Sequence, residues 1–337
     1  MKQLITAIIV LVSSTCHAMT VQQGQTYTNA NTLYEDEIVL GQNSTFINEG
    51  CLYIDCLDLS RCYQSGASFI NTGVIYCNSI SMNVNQWQWL PEIFTFSNEG
   101  AIVCEGDINL RITARTNFSL GENSVITCAN LNVDKYGNQD VDFGGTIKAD
   151  RMTVTVNDGG RIVRFGDLIV TDLVLRNNAT NISVDGFAYI EHLNSNTWGN
   201  ANITVDGGMV IGDIDSRSNV RGTSESLISL CTNPTDGQDF RLNSSGTVIY
   251  RVEADETDSF YWSRTPVEEN EVYGGAACKA NRISYLSCIT GEMNLLFITD
   301  DHMIEARDKK DPKSGLRVLR YGPIELYVKD NRLIFFE

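Results

Sequence analysis

Histidine is scarce in this sequence, and its scarcity excludes a class of metal sites. Only 3 of the 337 residues are histidine, and two of them, His192 and His302, lie beyond the first 18 residues. No Cys-x-x-Cys pair occurs either, so the common ligand sets of structural zinc sites are missing. We therefore expect no metal site and no cofactor.

Basic residues are also few. The chain has 25 lysines and arginines against 42 aspartates and glutamates, which gives a formal net charge of −17. Such a charge repels the phosphate backbone of DNA and RNA. The composition therefore predicts no nucleic-acid partner.

Long apolar runs are absent after the N-terminus. The first residues, MKQLITAIIVLVSSTCHA, combine Lys2, an apolar stretch from Leu4 to Val12 and a small residue at Ala18, which is the layout of a secretory signal peptide. The apolar stretch is much shorter than the roughly 20 residues that span a bilayer. We expect a signal peptide over residues 1–18, no membrane span, and secretion to the extracellular space or the cell surface.

Cysteine is present in a number that suits an exported protein. Of ten cysteines, Cys16 lies in the predicted signal peptide. Disulfides are the usual fate of cysteines in exported proteins, and an odd number leaves one free thiol or one intermolecular bond. The nine candidates for disulfide bonds are Cys51, Cys56, Cys62, Cys77, Cys104, Cys128, Cys231, Cys278 and Cys288.

Six Asn-x-Ser/Thr sequons accompany the cysteines. In a eukaryotic host they are candidate N-glycosylation sites on exposed loops, although an asparagine-rich chain also forms sequons by chance. They are Asn43, Asn117, Asn178, Asn181, Asn202 and Asn243.

One nine-residue phrase occurs three times. Residues 46–54 are FINEGCLYI, residues 69–77 are FINTGVIYC and residues 96–104 are FSNEGAIVC, at periods of 23 and 27 residues. Weaker copies continue to about residue 211. The segments between turn residues are short, apolar and β-branched, without a helical period. Self-similarity of this kind predicts an all-β fold, a single-stranded parallel β-helix or solenoid.

The repeat also predicts the domain organisation. We expect the parallel β-helix over residues 19–224, with an N-terminal cap over residues 19–38, because exposed solenoid ends invite edge-to-edge aggregation. The repeat is no longer recognisable after about residue 225, while the last segments still have strand character. Residues 225–337 are therefore predicted to form a smaller β-rich C-terminal capping region.

Stacking the three copies assigns a role to each repeated residue. The phenylalanines should form an aromatic ladder in the core. The asparagines should lie at a bend in the left-handed conformation and link their amides along the axis. The glycines should supply positive φ angles. A fourth column joins Cys77, Cys104 and Cys128, and adjacent strands lie about 4.8 Å apart, so this column can hold either a disulfide or a ladder of buried thiols.

The phrase F-x-N-x-G-x-I resembles the β-helical N-terminal domains of the fungal hyphally regulated cell-wall adhesins. It is also similar to coils of the filamentous-haemagglutinin class of bacterial secreted adhesins. The resemblance covers roughly residues 40 to 215 and implies a β-helix that acts in adhesion. The Ser/Thr-rich stalk and the lipid-anchor signal of the fungal adhesins are not in this sequence, so we do not expect direct anchoring in a wall.

Many parallel β-helices are pectinases or lyases, so their catalytic motifs would be expected in an enzyme of this fold. Paired aspartates with Gly-His-Gly do not occur in the repeat, where His192 is the single histidine. The cluster Asp300 to His302 has acids that suit general acid-base chemistry, but a charged β-turn explains it better. Arg111 and Arg115 match a lyase arginine only weakly. The Val-Asp-Gly turns at Asp185 and Asp206 are explained by turn chemistry without calcium.

Two tryptophans stand out in the segment NQWQWLPEIF, residues 85–94. Trp87 and Trp89 are two residues apart, so on an extended segment they share a face and can stack on sugar rings. The alternative is a loop that folds back onto its own coil, which the apolar character of both residues favours.

Together these features predict a secreted, non-enzymatic β-solenoid that acts as an extracellular structural or adhesive component. Two alternatives stay open, a polysaccharide-degrading β-helix enzyme and a soluble glycan-binding module. The expected partners are the extracellular matrix and cell-wall or cell-surface glycans or proteins, with self-association as a further option.

Overall fold

The protein is a stack of parallel β-coils. A computed structural model describes residues 18–62, 66–82, 93–137, 139–158, 162–216, 218–230, 241–252, 289–290, 294–299, 309–310, 317–321, 324–329 and 332–334. The predicted all-β fold is confirmed, since the coils stack in parallel as a β-solenoid. The predicted signal peptide lies outside the described residues except for Ala18.

Each complete coil contributes strand segments to three parallel sheets, which we call sheets I, II and III in the order in which the chain visits them. In one coil, Ser68–Asn71 lies in sheet I and Val74–Met82 passes from sheet II into sheet III. Alternate side chains point inward, so Ile75 and Ile80 of this coil are buried. Each inward residue is covered by the coil above and the coil below, which is why a single repeat cannot fold alone.

The strand bounds follow this three-sided path. Strands confined to sheet I are Thr26–Asn29, Thr45–Asn48, Ser68–Asn71, Phe94–Asn98, Thr116–Leu120, Asn181–Val184, Ala201–Val205, Ser218–Gly222, Arg241–Ser244 and Ile289–Thr290. Strands confined to sheet II are Thr32–Glu35, Ala101–Cys104, Leu227–Leu230, Thr247–Val252 and Asn294–Thr299. Strands that run from sheet II into sheet III are Cys51–Asp58, Val74–Met82, Val125–Lys135, Phe187–Thr197 and Gly208–Ser216.

A few strands depart from that pattern. Val141–Val156 and Val163–Asn177 run through all three sheets, and Asp107–Ile112 lies in sheet III alone. Glu37–Leu40 is the third strand of the first coil and pairs in parallel with Ala18–Val21. One helical turn, Leu59–Cys62, follows the second coil, and no helix in the described part of the chain is long and apolar enough to cross a membrane.

The register of the coils confirms the predicted columns. Phe69 lies opposite Phe46 in the preceding coil and Phe96 in the following one. Their rings stack in the core with centroids 5.1 Å and 5.9 Å apart, and all three side chains are fully or almost fully buried. The predicted aromatic ladder is therefore present. It is also longer than expected, since it continues through the rings of Tyr27, Phe118, Phe143 and Phe165.

The asparagine column is linked as predicted, but not through a left-handed backbone. Asn48 donates its side-chain amide to the amide oxygen of Asn71 at 2.7 Å, and Asn71 donates to Asn98 at 2.6 Å. Among the described non-glycine residues, positive φ angles occur at Asn43 and Asn177 instead. Asparagine is needed in this column because its buried side-chain amide hydrogen-bonds along the solenoid axis. A preference of the backbone for one conformation would not by itself require an amide.

The predicted role of the glycine column was wrong. Gly50, Gly73 and Gly100 do not have positive φ angles. A Cβ atom at Gly73 would overlap the carbonyl oxygen of Gly50, and one at Gly100 would overlap that of Gly73. These glycines are therefore required by the close approach of successive coils at the corner between sheets I and II.

The stacking does not stop at residue 224, where the predicted β-helix ends. Leu227–Leu230 pairs in parallel with Thr247–Val252, which pairs in parallel with Asn294–Thr299. The buried residues Ile228 and Val248 continue the inward pattern. At the other end, residues 19–38, predicted as a cap, contain strands of the first coil itself.

The pairing changes near the C-terminus. Lys309–Lys310, Arg317–Tyr321, Ile324–Lys329 and Arg332–Ile334 form an antiparallel sheet. Residues 225–337 therefore combine parallel coil strands with an antiparallel sheet, and their role as a separate capping region stays a prediction.

Candidate functional site

The outer surface of sheet II carries a ladder of tyrosines, Tyr34, Tyr53 and Tyr76, on three successive coils. Their register is direct, since Tyr53 lies opposite Tyr34 below and Tyr76 above. Each residue alternates with a residue that points into the core, so the three rings point to solvent. Their exposed fractions are 50%, 36% and 37%. We call these three residues the tyrosine ladder.

The rings of the tyrosine ladder are held parallel to one another. The centroids of Tyr34 and Tyr53 are 4.8 Å apart with planes 14° from parallel, and those of Tyr53 and Tyr76 are 4.8 Å apart with planes 12° from parallel. Partial desolvation raises the pKa of Tyr53, and the adjacent Tyr76 phenol adds to the rise. The Tyr53 phenol is therefore a neutral hydrogen-bonding group at physiological pH.

A polar row borders the tyrosine ladder two residues further along each strand. Asp36, Asp55 and Asn78 are all exposed, and Asn78 donates its side-chain amide to the carboxylate of Asp55. Surfaces that bind a polar partner which also has an apolar face combine aromatic rings with carboxylate and amide groups.

The same outward column continues along sheet II beyond the tyrosine ladder. Val103 lies opposite Tyr76 and is 37% exposed. Further along, Ile169 and Tyr189 are in register and are 39% and 42% exposed. The apolar column is interrupted by Thr127 and Lys148, both exposed. The tyrosine ladder is therefore the end of a long, partly apolar strip on the outer face of sheet II.

Sequence reasoning missed the tyrosine ladder, although a signal for it was present. Tyr53 and Tyr76 are each the eighth residue of a nine-residue copy of the repeated phrase. Tyr34 lies in the first coil, where the phrase is too degenerate to be recognised. Since a parallel solenoid stacks every column in register, a repeated outward tyrosine forms a ladder in the same way as a repeated inward phenylalanine.

The predicted cysteine column is present behind the same sheet. Cys77, Cys104 and Cys128 lie on consecutive coils, point into the core and are 6%, 4% and 6% exposed. They are free thiols in the structure, as are the half-buried Cys51 and the exposed Cys56. The disulfides stay a prediction. The side chain of Cys62 and the whole of Cys231, Cys278 and Cys288 lie outside the described residues.

The predicted tryptophan pair cannot be placed, because Trp87 and Trp89 lie outside the described residues. A different tryptophan, Trp198, is 79% exposed at the corner after sheet III. Its backbone N–H donates to the carbonyl of Asn177 at 2.9 Å, one residue before the sequon asparagine Asn178. An exposed tryptophan thus lies beside a candidate glycan site, on a different side of the solenoid from the tyrosine ladder.

The six sequons differ in accessibility. The side chains of Asn43, Asn117, Asn202 and Asn243 are exposed, whereas those of Asn178 and Asn181 are half-buried. Asn181 and Asn202 lie opposite each other on adjacent coils. Because adjacent strands are only about 4.8 Å apart, two glycans at these positions would compete for the same space. Occupancy of the sequons stays a prediction.

The candidate catalytic residues do not meet at one place in the described part of the chain. His192 is exposed and lies 4.0 Å from Glu191. Arg111 lies in sheet III with its guanidinium 4.5 Å from the ring centroid of Tyr136, while Arg115 follows in the turn to the next coil. Residues 300–302 lie outside the described ranges. No group of three or more metal-ligating side chains occurs among the residues that were placed.

The Val-Asp-Gly turns are local structures. Asp185 accepts a hydrogen bond from the hydroxyl of Ser183 at 2.6 Å. A Cβ atom at Gly207 would overlap the carbonyl oxygen of Gly186, so these glycines also allow successive coils to stack closely.

A cleft of about 500 Å3 lies at the corner between sheets III and I. Its described lining is Ile93, Thr95, Ile112, Ala114, Thr116, Asn117, Phe118, Gln139, Asp140 and Val141. Asp140 is the carboxylate of that lining and accepts a hydrogen bond from the backbone N–H of Ile162 at 3.1 Å. Glycoside hydrolysis generally uses two carboxylates, so this lining gives no support to a glycosidase site.

Comparisons with known proteins assign no family to this chain. No protein-family model, no curated protein and no solved structure matches it.

Proposed function

We propose that this protein is a secreted, non-enzymatic β-solenoid that acts as an extracellular structural or adhesive component, with the outer face of sheet II as its contact surface. The observation that carries the proposal is the tyrosine ladder, three nearly parallel rings exposed on the outer face of sheet II. The predicted export signal and the likeness of the repeat to secreted adhesins support the same role.

The tyrosine ladder suits a contact surface for energetic reasons. Tyrosine offers a large apolar ring and a hydroxyl while it loses little conformational entropy on binding. Tyr53 is packed between the rings of Tyr34 and Tyr76, so its orientation is set before a partner arrives. The hydrogen-bonded coils beneath keep the rings at a fixed spacing.

The experiment compares two variants with the parent protein. Tyr34→Ser/Tyr53→Ser/Tyr76→Ser removes the ladder, and Asn109→Ser/Asn132→Ser changes a matched outward column on sheet III, where Asn132 donates to Asn109 at 2.9 Å. Binding is measured on immobilised chitin, alginate, pectin and extracellular-matrix protein, after melting curves show that all three proteins fold.

We expect the parent and the Asn109/Asn132 variant to bind at least one of these surfaces equally. The tyrosine variant should bind it at least about tenfold more weakly, which corresponds to about 1.4 kcal/mol. Equal binding of the two variants would reject the ladder as the contact surface. Release of reducing sugars from the polysaccharides would favour the enzyme instead.

A soluble glycan-binding module is the second candidate, and the polar row supports it. Asp55 and Asn78 lie beside the tyrosine rings, so a sugar on the ladder would meet carboxylate and amide groups at its edge. Titration with short oligosaccharides distinguishes the two functions. A glycan-binding module would bind a soluble oligosaccharide without turnover, whereas the structural role requires an extended or multivalent surface.

A further inference from the structure

Two of the three stacked cysteines are arranged for a bond to each other. Cys77 and Cys104 lie opposite each other on adjacent coils of sheet II, and both side chains point into the core. In-register strands are about 4.8 Å apart, which is within the Cα–Cα range of a disulfide. A bond between these residues would need no change of register.

The strand pairing distinguishes Cys77–Cys104 from the other pair in the column. Cys104 is paired with Cys77, whereas the pairing of its strand with the next coil ends at Val103 and Thr127, one residue before Cys104 and Cys128. Sharing of the thiol proton between the two sulfurs lowers the pKa of Cys104 and raises that of Cys77. Burial raises the pKa of Cys128 to about 12. The folded structure therefore couples Cys77 to Cys104, and Cys128 stays a protonated thiol.

More residues separate Cys77 from Cys104 than separate the other neighbouring positions of this column. Ile54 and Cys77 are 23 residues apart, Cys77 and Cys104 are 27 apart, and Cys104 and Cys128 are 24 apart. The extra length lies between Met82 and Ile93. A longer loop costs more entropy to close, so a covalent bond that closes the 27-residue span gains more than one that closes the 24-residue span.

We propose that Cys77 and Cys104 form a disulfide that joins two adjacent coils, and that Cys128 is left as a buried free thiol. The oxidant is a disulfide of the glutathione class. The Cys104 thiolate attacks one sulfur of that disulfide and releases the first glutathione thiolate. The Cys77 thiolate then attacks the Cys104 sulfur and releases the second. Two electrons pass to glutathione, and the two cysteines lose two protons.

The bond forms while the coils assemble. Both sulfurs are almost inaccessible once the stack is complete, since Cys77 is 6% exposed and Cys104 is 4% exposed. Oxidation of the folded, reduced protein should therefore be slow, whereas refolding with the oxidant should give the bond directly.

The experiment is refolding of the reduced full chain in a mixture of reduced and oxidised glutathione. Free thiols are alkylated before and after denaturation, and the protein is cut with a glutamate-specific protease and chymotrypsin. Cleavage after Tyr63, Glu92 and Glu105 separates Cys62, Cys77, Cys104 and Cys128 onto different peptides. Mass spectrometry then identifies the linked peptides, in the parent and in a Cys128→Ala variant.

We expect a peptide that joins Cys77 to Cys104 in both proteins, with Cys128 alkylated only after denaturation. A Cys104–Cys128 link in the parent would overturn the assignment. So would a bond from Cys77 or Cys104 to any other cysteine. Free Cys77 and Cys104 in protein that has regained its β-sheet circular dichroism would reject the bond altogether. Because glutathione is supplied in the tube, the result does not depend on the proposed extracellular function.

Discussion

Asn71 donates its side-chain amide to the amide oxygen of Asn98 across two adjacent coils, with 2.6 Å between the atoms and both residues fully buried. The same amide nitrogen lies 3.2 Å from the carbonyl oxygen of Ala101, which anchors the side-chain ladder to the backbone of the next coil. This relationship explains why the same asparagine recurs in the three copies of the nine-residue phrase.

The first prediction concerns this ladder. Asn71→Ala should destabilise the protein by about 1–3 kcal/mol for each buried group left without a partner, since Asn48 loses an acceptor and Asn98 a donor. Urea unfolding measures the change. Asn109→Ala is the control, because Asn109 is exposed and its loss should cost less than about 0.5 kcal/mol. Equal shifts of the two midpoints would contradict the ladder.

The second prediction concerns the aromatic ladder. Phe69→Ala should cost about 3–5 kcal/mol, because Phe69 is fully buried between Phe46 and Phe96 and its removal leaves a cavity. Tyr53→Ala removes a ring of similar size from an outward column and should cost much less. Thermal melts of the two variants test the difference. A Phe69→Ala protein that melts with the parent would show that the rings do not stack in this register.

The third prediction concerns close stacking of glycines. Gly73→Ala should destabilise the coil by about 1–3 kcal/mol or more, because the new Cβ would overlap the carbonyl oxygen of Gly50. Gly199→Ala is the control, since the nearest atom to its Cβ, Cγ2 of Thr180, is 4.0 Å away. If the two variants unfold at the same denaturant concentration, close approach is not the reason for the glycine column.

The fourth prediction concerns pH. Burial raises the pKa of Cys128 from 9.0 to about 12, so the folded state keeps a proton that the unfolded state loses. The associated stability is complete below pH 9 and is lost as pH rises towards 12. The difference in unfolding free energy between the parent and Cys128→Ala, measured at several alkaline pH values, should therefore shrink across this window. A constant difference would mean that Cys128 ionises with an ordinary pKa.

The phenylalanine and asparagine columns could be predicted because residue identity repeats at a period that only stacked coils explain. The glycine role could not, because the atom that a Cβ would meet belongs to a residue about one coil away in sequence. Such a contact appears only when the coils are assembled, whereas a φ preference is a local property. The nearby Gly24, with φ of 71°, shows that the local explanation is right elsewhere in the chain.

The extent of the stack could not be predicted from the repeat either. After residue 224 the repeated letters vanish, yet Leu242 and Val248 remain fully buried in coils that pair in parallel. Stacking needs only an apolar residue at each inward position, so the fold outlasts the recognisable repeat. The tyrosine ladder was missed for a related reason, since an outward column contributes to a surface rather than to the core.

The proposal that the outer face of sheet II holds this protein to an extracellular surface can be tested in the native organism. The most direct measurement is the distribution of a tagged copy there, for the parent and for the Tyr34→Ser/Tyr53→Ser/Tyr76→Ser variant at equal expression. Under this proposal, we expect the parent to be enriched on an extracellular matrix, wall or cell surface and the variant to be secreted but free in the surrounding fluid. A variant that stays bound as well as the parent, or a parent that stays inside the cell, would contradict it.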